Sequence, residues 1–86
     1  MLKKITEKEY DLLAENGARI LFDIADYRLM DGVKDDDESY FIIDFFKDQF
    51  YQIDLKTSYD LLAMYVCQDV PRTYLLSRIE EILNYL

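Results

Sequence analysis

Residues 34–55 read KDDDESYFIIDFFKDQFYQIDL, an acidic run followed at once by the densest aromatic segment of the chain. The aromatic and β-branched residues of the second part are typical of strands. Two apolar runs on either side of the polar triplet Lys47-Asp48-Gln49 predict a β-hairpin. We therefore expect the domain to be built around this hairpin, with the flanking helical segments covering one of its faces.

The register of the hairpin is predicted from the residues that favour burial. A three-residue loop at 47–49 places Ile43 opposite Ile53. A two-residue turn at Lys47-Asp48 would instead place Ile43 opposite Gln52. Burial favours the three-residue loop, which gives one continuous apolar face formed by Phe41, Ile43, Phe45, Tyr51, Ile53 and Leu55. The other face then carries a mixed set: Tyr40, Ile42, Asp44, Phe46, Phe50, Gln52 and Asp54.

The segment before the acidic run predicts a helix and then a strand. Thr6 and Glu9 have the spacing of a capping box, and the helix is expected to stop at Asn16-Gly17. Residues 19–30 fit both a strand alternation and a helical stripe. We interpret them as a strand because of the helix stop upstream and the Asp31-Gly32 turn signal downstream. Residues 33–38 are expected to form a loop.

The segment after the hairpin predicts two helices. Thr57-Ser58 offers an N-cap for the first, and Val70-Pro71 separates it from the second. Their apolar stripes are Leu61, Leu62, Tyr65 and Val66 in the first helix, and Leu75, Ile79, Ile82, Leu83 and Leu86 in the second. The predicted fold is α+β, a single domain over residues 1–86 with the order α-β-β-β-α-α and a three-stranded antiparallel sheet packed on helices.

The charge of the chain is strongly acidic and unevenly distributed. Residues 23–60 hold eleven acids and four bases, so they carry −7 of the formal net charge of −8. Such a surface repels nucleic acid and anionic membranes and attracts basic protein surfaces. The predicted partner is therefore a protein with a basic, nucleic-acid-binding surface, and we expect no direct nucleic-acid binding and no membrane binding.

The residues of a catalytic centre are missing from the sequence. The chain has no histidine, and its two glycines do not form a phosphate loop. The single cysteine, Cys67, is expected to be a small packed hydrophobe near the end of a helix. One cysteine and no apolar leader suit a soluble, cytoplasmic protein. We predict a non-enzyme without a cofactor.

The acidic run of Asp35, Asp36, Asp37 and Glu38 has three interpretations. It lacks the alternating carboxylates and the glycine of an EF-hand loop, so no metal site is predicted. It can be a solvated loop that protects the sheet edges. It can also imitate the charges of a nucleic-acid backbone. In this third interpretation the partner-binding residues are Asp35, Asp36, Asp37, Glu38, Asp44, Asp48 and Asp54, with Asp23 and Asp26 beside them.

An apolar surface is the alternative binding site. Tyr40, Ile42, Phe46 and Phe50 share the second face of the predicted hairpin. If helix 1 covers this face, these side chains belong to the core. If all three helices lie on the other face, the exposed aromatic residues favour a homodimer or a structural or regulatory interaction, such as neutralisation of a toxin.

In size, acidity and predicted element order, the chain resembles the small phage-encoded anti-CRISPR proteins that occupy the PAM-binding groove of Cas9 as DNA mimics. The resemblance involves no motif that aligns residue by residue. It implies an inhibitor in which Asp35, Asp36, Asp37, Glu38 and nearby strand carboxylates contact Lys and Arg side chains of a nuclease and prevent DNA from docking.

Overall fold

The computed structural model describes residues 2–34 and 37–84, without the side chain of Lys34. The elements in chain order are β1 (Lys3–Ile5), α1 (Glu7–Glu15), β2 (Arg19–Ile24), β3 (Tyr27–Lys34), β4 (Asp37–Asp44), β5 (Gln49–Ile53), α2 (Leu55–Val66) and α3 (Arg72–Leu83). All strand pairs are antiparallel and form one sheet in the order β1-β5-β4-β3-β2. The α+β class is confirmed, but the three-stranded sheet and the order α-β-β-β-α-α are wrong.

Strand β4 lies at the centre of the sheet and is covered on both faces. Its residues from Ser39 to Asp44 are all buried. Phe41 and Ile43 point to the α1 side, whereas Tyr40 and Ile42 point to the α2 and α3 side. The apolar run in this part of the sequence is that of a strand buried on both faces. Helices therefore cover both faces, with α1 on the side of Phe41 and Ile43 and not on the side of Tyr40 and Ile42.

Two apolar clusters hold the three layers together. The cluster under α1 consists of Ile5, Leu13, Met30, Phe41, Ile43 and Phe50. The cluster under α2 and α3 consists of Phe22, Leu29, Tyr40, Ile42, Ile53, Leu61, Leu75 and Ile79. Each sheet face thus has a separate core, and the strand residues are divided between the two cores by their alternation.

The predicted strand over residues 19–30 is a hairpin of two strands. Its turn contains Ala25, which adopts a positive φ of 49°. Alanine is not a residue that turns of this kind favour, so the sequence gives no turn signal here. Gly32, taken as part of a turn, lies inside β3, where a Cβ atom would be 3.4 Å from the Cβ of Ala18. The glycine therefore allows the close approach of a neighbouring segment.

Strand β1 was not predicted. Its residues pair with β5, so that Ile5 is opposite Phe50. Lys3 and Lys4 are exposed at this edge of the sheet, where lysine discourages pairing with another chain. The strand has only three residues and one buried side chain, Ile5. A pattern of period two cannot be recognised over so short a segment.

The register predicted for the central hairpin is also wrong. Asp44 pairs with Gln49, which leaves a four-residue connection at 45–48. The Asp44 carboxylate accepts a hydrogen bond from the backbone N–H of Lys47 at 3.0 Å, and Asp48 adopts a φ of 55°. Phe45 is therefore 51% exposed instead of buried, and Leu55 is the first residue of α2 instead of a strand residue.

The helix predictions are confirmed in part. The capping box of Thr6 and Glu9 is present, and Gly17 has a φ of 88° just after α1. The N-cap of α2 is Asp54, so the prediction of Thr57-Ser58 is wrong. Helix α3 begins after Pro71. None of the helices in the described residues is long and apolar enough to span a membrane.

The predicted helical stripes agree with the burial only in part. Leu61, Leu75 and Ile79 are buried, and Leu62, Tyr65, Ile82 and Leu83 are half-buried. Val66 is 68% exposed and Cys67 is exposed at the C-cap of α2, so neither is packed as predicted. Leu86 lies outside the described residues.

The burial of β4 predicts a strong contrast between neighbouring phenylalanines. Phe41→Ala should lower the free energy of unfolding by about 3–5 kcal/mol, because the side chain is 1% exposed. Phe46→Ala should change it by less than ~0.5 kcal/mol, because the side chain is 81% exposed. Urea denaturation followed by circular dichroism measures both values. The register would be refuted if Phe45→Ala were as destabilising as Phe41→Ala.

Candidate functional site

The acidic run lies at the connection between β3 and β4. Lys34 and Asp37 pair across the two strands, so the expected loop over residues 33–38 is shorter than predicted. Asp35 and Asp36 lie outside the described residues. Asp37 and Glu38 are the first two residues of β4, and both are exposed. These two carboxylates are therefore displayed by regular strand structure.

A cleft beside this hairpin end brings three of the predicted acidic residues together. Its volume is about 400 Å³ and its lining comes from the beginning of β4, the end of β5 and the beginning of α2. The lining residues are Asp37, Glu38, Ser39, Tyr40, Gln52, Ile53, Asp54 and Leu55. We call it the acidic cleft, because its described lining contains three acidic residues and no Lys or Arg.

The carboxylate of Glu38 is oriented by a buried tyrosine. The Tyr40 hydroxyl donates a hydrogen bond of 2.9 Å to Oε1 of Glu38. The Tyr40 ring is 5% exposed and meets the ring of Tyr59 edge-on at 6.0 Å between centroids. Burial, and then the hydrogen bond to Glu38, raise the pKa of Tyr40, so its hydroxyl remains a donor. A fixed donor holds the Glu38 side chain at the cleft.

Asp54 supplies a carboxylate that stays ionised. It is the N-cap residue of α2, and its Oδ1 accepts a hydrogen bond of 2.5 Å from the hydroxyl of Thr57. This hydrogen bond is the main reason why the pKa of Asp54 is lowered to about 2. A negative charge is also favoured at the beginning of a helix. The amino terminus of the chain also lowers this pKa, so the Asp54 carboxylate beside the cleft is ionised and already has partners within the chain.

Glu38 also faces a second cleft, of about 360 Å³, on the other side of the hairpin end. This cleft contains Arg19, whose guanidinium binds both oxygens of Asp31 at 3.1 and 2.6 Å. Asp31 is only 5% exposed, so its buried carboxylate anchors the ion pair with Arg19. The Arg19 charge is largely offset by Asp31, and the carboxylate of Glu38 remains available at the surface.

The remaining predicted acidic residues lie elsewhere. Asp44 is 4% exposed and binds the Lys47 N–H, so it stabilises the turn and does not belong to a binding surface. Asp48 lies in the same turn, at the opposite end of β4. Seven steps along a strand separate Asp37 from Asp44, roughly 23 Å. Of the predicted acidic residues that the structure describes, Asp37, Glu38 and Asp54 line the same cleft, whereas Asp44 and Asp48 do not.

The predicted apolar surface does not exist as one surface. Tyr40 and Ile42 are buried under α2 and α3, whereas Phe50 is buried under α1 and stacks on Tyr10 at 4.7 Å between ring centroids. Phe46 is exposed in the β4–β5 turn. The three-residue loop had placed these four side chains on one face, and the four-residue connection separates them.

Two features of the cleft had no sequence signal. Tyr40 was assigned to the apolar surface, but its hydroxyl reaches Glu38. Ser39 is buried and donates to the carbonyl oxygen of Asp37 at 3.4 Å. Both contacts depend on residues two positions apart in β4, which the strand places on the same face. Among the described residues, no group of three or more Cys, Asp or Glu side chains is arranged to hold a metal ion.

The lowered pKa of Asp54 predicts a dependence of stability on pH. Asp54→Ala should lower the free energy of unfolding by about 1 kcal/mol at neutral pH, because the hydrogen bond from the Thr57 hydroxyl to the carboxylate is lost. The folded-state pKa is about 2 and the usual value is 3.8, so this contribution is complete above about pH 4 and is lost as the pH falls toward 2. Urea denaturation at several pH values measures the difference. Asp54→Asn is the control, since it keeps a carbonyl acceptor for Thr57 but cannot titrate. A difference between wild type and Asp54→Ala that is constant from pH 7 to pH 2 would contradict the assignment.

No family model, no curated protein and no solved structure matches this chain. Its role therefore has to be inferred from its own side chains, above all from the carboxylates of the acidic cleft.

Proposed function

We propose that the protein is a non-catalytic inhibitor that binds the basic groove of a nucleic-acid-binding protein through the acidic cleft. The observation that supports this proposal is that Asp37, Glu38 and Asp54 all line one cleft, whose described lining contains no Lys or Arg. The net charge of −8 also favours association with a basic surface. Asp35 and Asp36 adjoin Asp37 in sequence and belong to the proposed contact.

The chemistry of a basic groove suits such a ligand. A nucleic-acid-binding protein owes much of its affinity to Lys and Arg side chains that neutralise phosphates. Arg binds a carboxylate through the same two parallel hydrogen bonds that it makes to a phosphate. A protein with fixed carboxylates can thus compete with nucleic acid for these side chains.

The contacts within the cleft reduce the entropic cost of binding. Tyr40 orients Glu38, and Thr57 orients Asp54. A long acidic side chain that is free in solution loses rotamer freedom when it binds, at about 0.5–1.5 kcal/mol for each side chain that is immobilised. Because these two carboxylates are already held, less of this cost falls on the complex.

The extent of the surface limits the kind of mimicry that we propose. With Asp44 buried and Asp48 at the far end of β4, the acidic contact is concentrated at one end of the sheet. It corresponds to a few neighbouring phosphates and not to a long stretch of duplex. An inhibitor of this size would block a short recognition groove, such as the PAM-binding groove of a Cas9-type nuclease, in the manner of an anti-CRISPR protein. The element order that contributed to that resemblance is wrong, so this target depends on charge and size alone.

Replacing two carboxylates of the cleft tests the proposal. The double variant Asp37→Asn with Glu38→Gln should bind a Cas9-type nuclease at least about tenfold more weakly than wild type, because two charged contacts are lost. The salt dependence of the affinity should become shallower. Displacement of a labelled PAM-containing DNA from the nuclease, followed by fluorescence anisotropy at several salt concentrations, measures both effects.

A matched control separates the cleft from total charge. Asp69→Asn with Glu80→Gln makes the same change of charge and residue type at two exposed positions away from the cleft, and it should retain wild-type inhibition. If both double variants lost the same affinity, the interaction would depend on net charge and not on the acidic cleft. The same assay on other DNA-binding proteins extends the test beyond nucleases, and if the wild-type chain displaced DNA from none of them the proposal would be wrong.

A further inference from the structure

The β4–β5 turn presents the most exposed large hydrophobic side chain in the described part of the chain. Phe46 is 81% exposed and its neighbour Phe45 is 51% exposed. Both side chains lie at the end of the sheet opposite the acidic cleft. Neither is needed for either apolar core. Two adjacent phenylalanines therefore expose apolar surface that does not stabilise the fold, which is typical of an interaction site.

The turn is held in one conformation by several contacts. The Asp44 carboxylate accepts the N–H of Lys47 at 3.0 Å, and the N–H of Phe45 donates to the carbonyl oxygen of Asp26 at 2.9 Å. The second contact ties the β4–β5 turn to the β2–β3 turn. A turn backbone fixed in this way loses little conformational freedom on binding.

An arginine packs against the ring of Phe45. The guanidinium carbon of Arg28 lies 5.0 Å from the centroid of the Phe45 ring. Asp23 fixes that guanidinium through two hydrogen bonds of 2.6 and 3.2 Å. Aromatic residues and arginine are enriched among the residues that carry most of the free energy of protein association. The combination favours a protein contact at this turn.

The charges around the turn specify the partner. The charge of Arg28 is offset by Asp23. The other charged residues near the turn are three acids, Asp26, Asp44 and Asp48, and one base, Lys47. Asp26 and Asp48 are exposed, and neither takes part in an ion pair among the described residues. The surface is therefore an apolar knob with an acidic border. Its complement is an apolar pocket with basic side chains on the rim.

From this geometry we infer that the Phe45–Phe46 turn is a second, separate docking surface that inserts Phe46 into an apolar pocket with a basic rim on a partner protein. A second copy of this chain fits less well, since both copies would bring acidic borders and a charge of −8 to the contact. The inference does not depend on the acidic cleft.

Substitution of the knob with a matched control tests this surface. Phe46→Ser removes the aromatic ring, and Val66→Ser removes a 68% exposed apolar side chain at the end of α2. The full chain and both variants serve as bait in lysate of the cells that produce the protein. Any protein retained by wild type is purified, and its affinity for all three chains is measured by calorimetry. Circular dichroism checks that both variants keep the wild-type fold.

The expected result is a loss of about 30-fold or more in affinity for Phe46→Ser and a change within twofold for Val66→Ser. The heat-capacity change of binding should also become less negative in Phe46→Ser, because less apolar surface is buried. Equal affinities of wild type and Phe46→Ser, or no retained protein, would overturn the inference. A wild-type dimer in light scattering that Phe46→Ser converts to a monomer would overturn it as well, because the occupant would be a second copy of the chain. Sedimentation of wild type, but not of Phe46→Ser, with phosphatidylcholine vesicles would also overturn it, because the occupant would be a membrane.

The two surfaces are distinguished by the same measurements. If Phe46→Ser weakens binding of the retained protein while Asp37→Asn with Glu38→Gln does not, the docking turn stands, and the DNA-displacement assay alone decides the proposed function of the acidic cleft. The reverse result leaves the acidic cleft and removes the docking turn.

Discussion

The burial of β4 on both faces is the constraint on which the rest of the structure depends. Residues 39–44 have almost no contact with water, so helices are required above and below the sheet. Each helical layer has its own apolar cluster, and the strand alternation decides which side chain enters which cluster. With 86 residues the chain has little apolar surface to spare, and dividing it between two cores leaves few positions that tolerate a change.

The sequence predicted the elements better than their arrangement. The capping box of α1, the two C-terminal helices and the central hairpin were recognisable because each has a local signal. The register failed because a strand buried on both faces has apolar residues at every position, so burial cannot distinguish one pairing from another. The turn decided the register instead, through Asp44 and Lys47. Strand β1 and the turn at Ala25 lacked any local signal.

The candidate site was predicted in composition but not in geometry. Asp37, Glu38, Asp44 and Asp54 look alike in the sequence, yet one of them is a buried turn residue and the others converge on a cleft. Three separate elements meet there, and only the observed register places Ile53, which precedes Asp54, opposite Tyr40 instead of opposite Ile43. Charge is readable from sequence. Its position depends on strand pairing that local patterns do not specify.

Strand β4 also fixes a distance. The acidic cleft begins at its first residues and the Phe45–Phe46 turn follows its last, so the strand separates the two proposed docking surfaces by roughly 23 Å. A target that offers both complements at this spacing gains avidity, since the second contact forms at a high effective concentration. The spacing is difficult to change, because lengthening β4 would require compensating insertions in β3 and β5, its two paired neighbours. Selection for a new target would act more readily on the side chains at the two ends than on the distance between them.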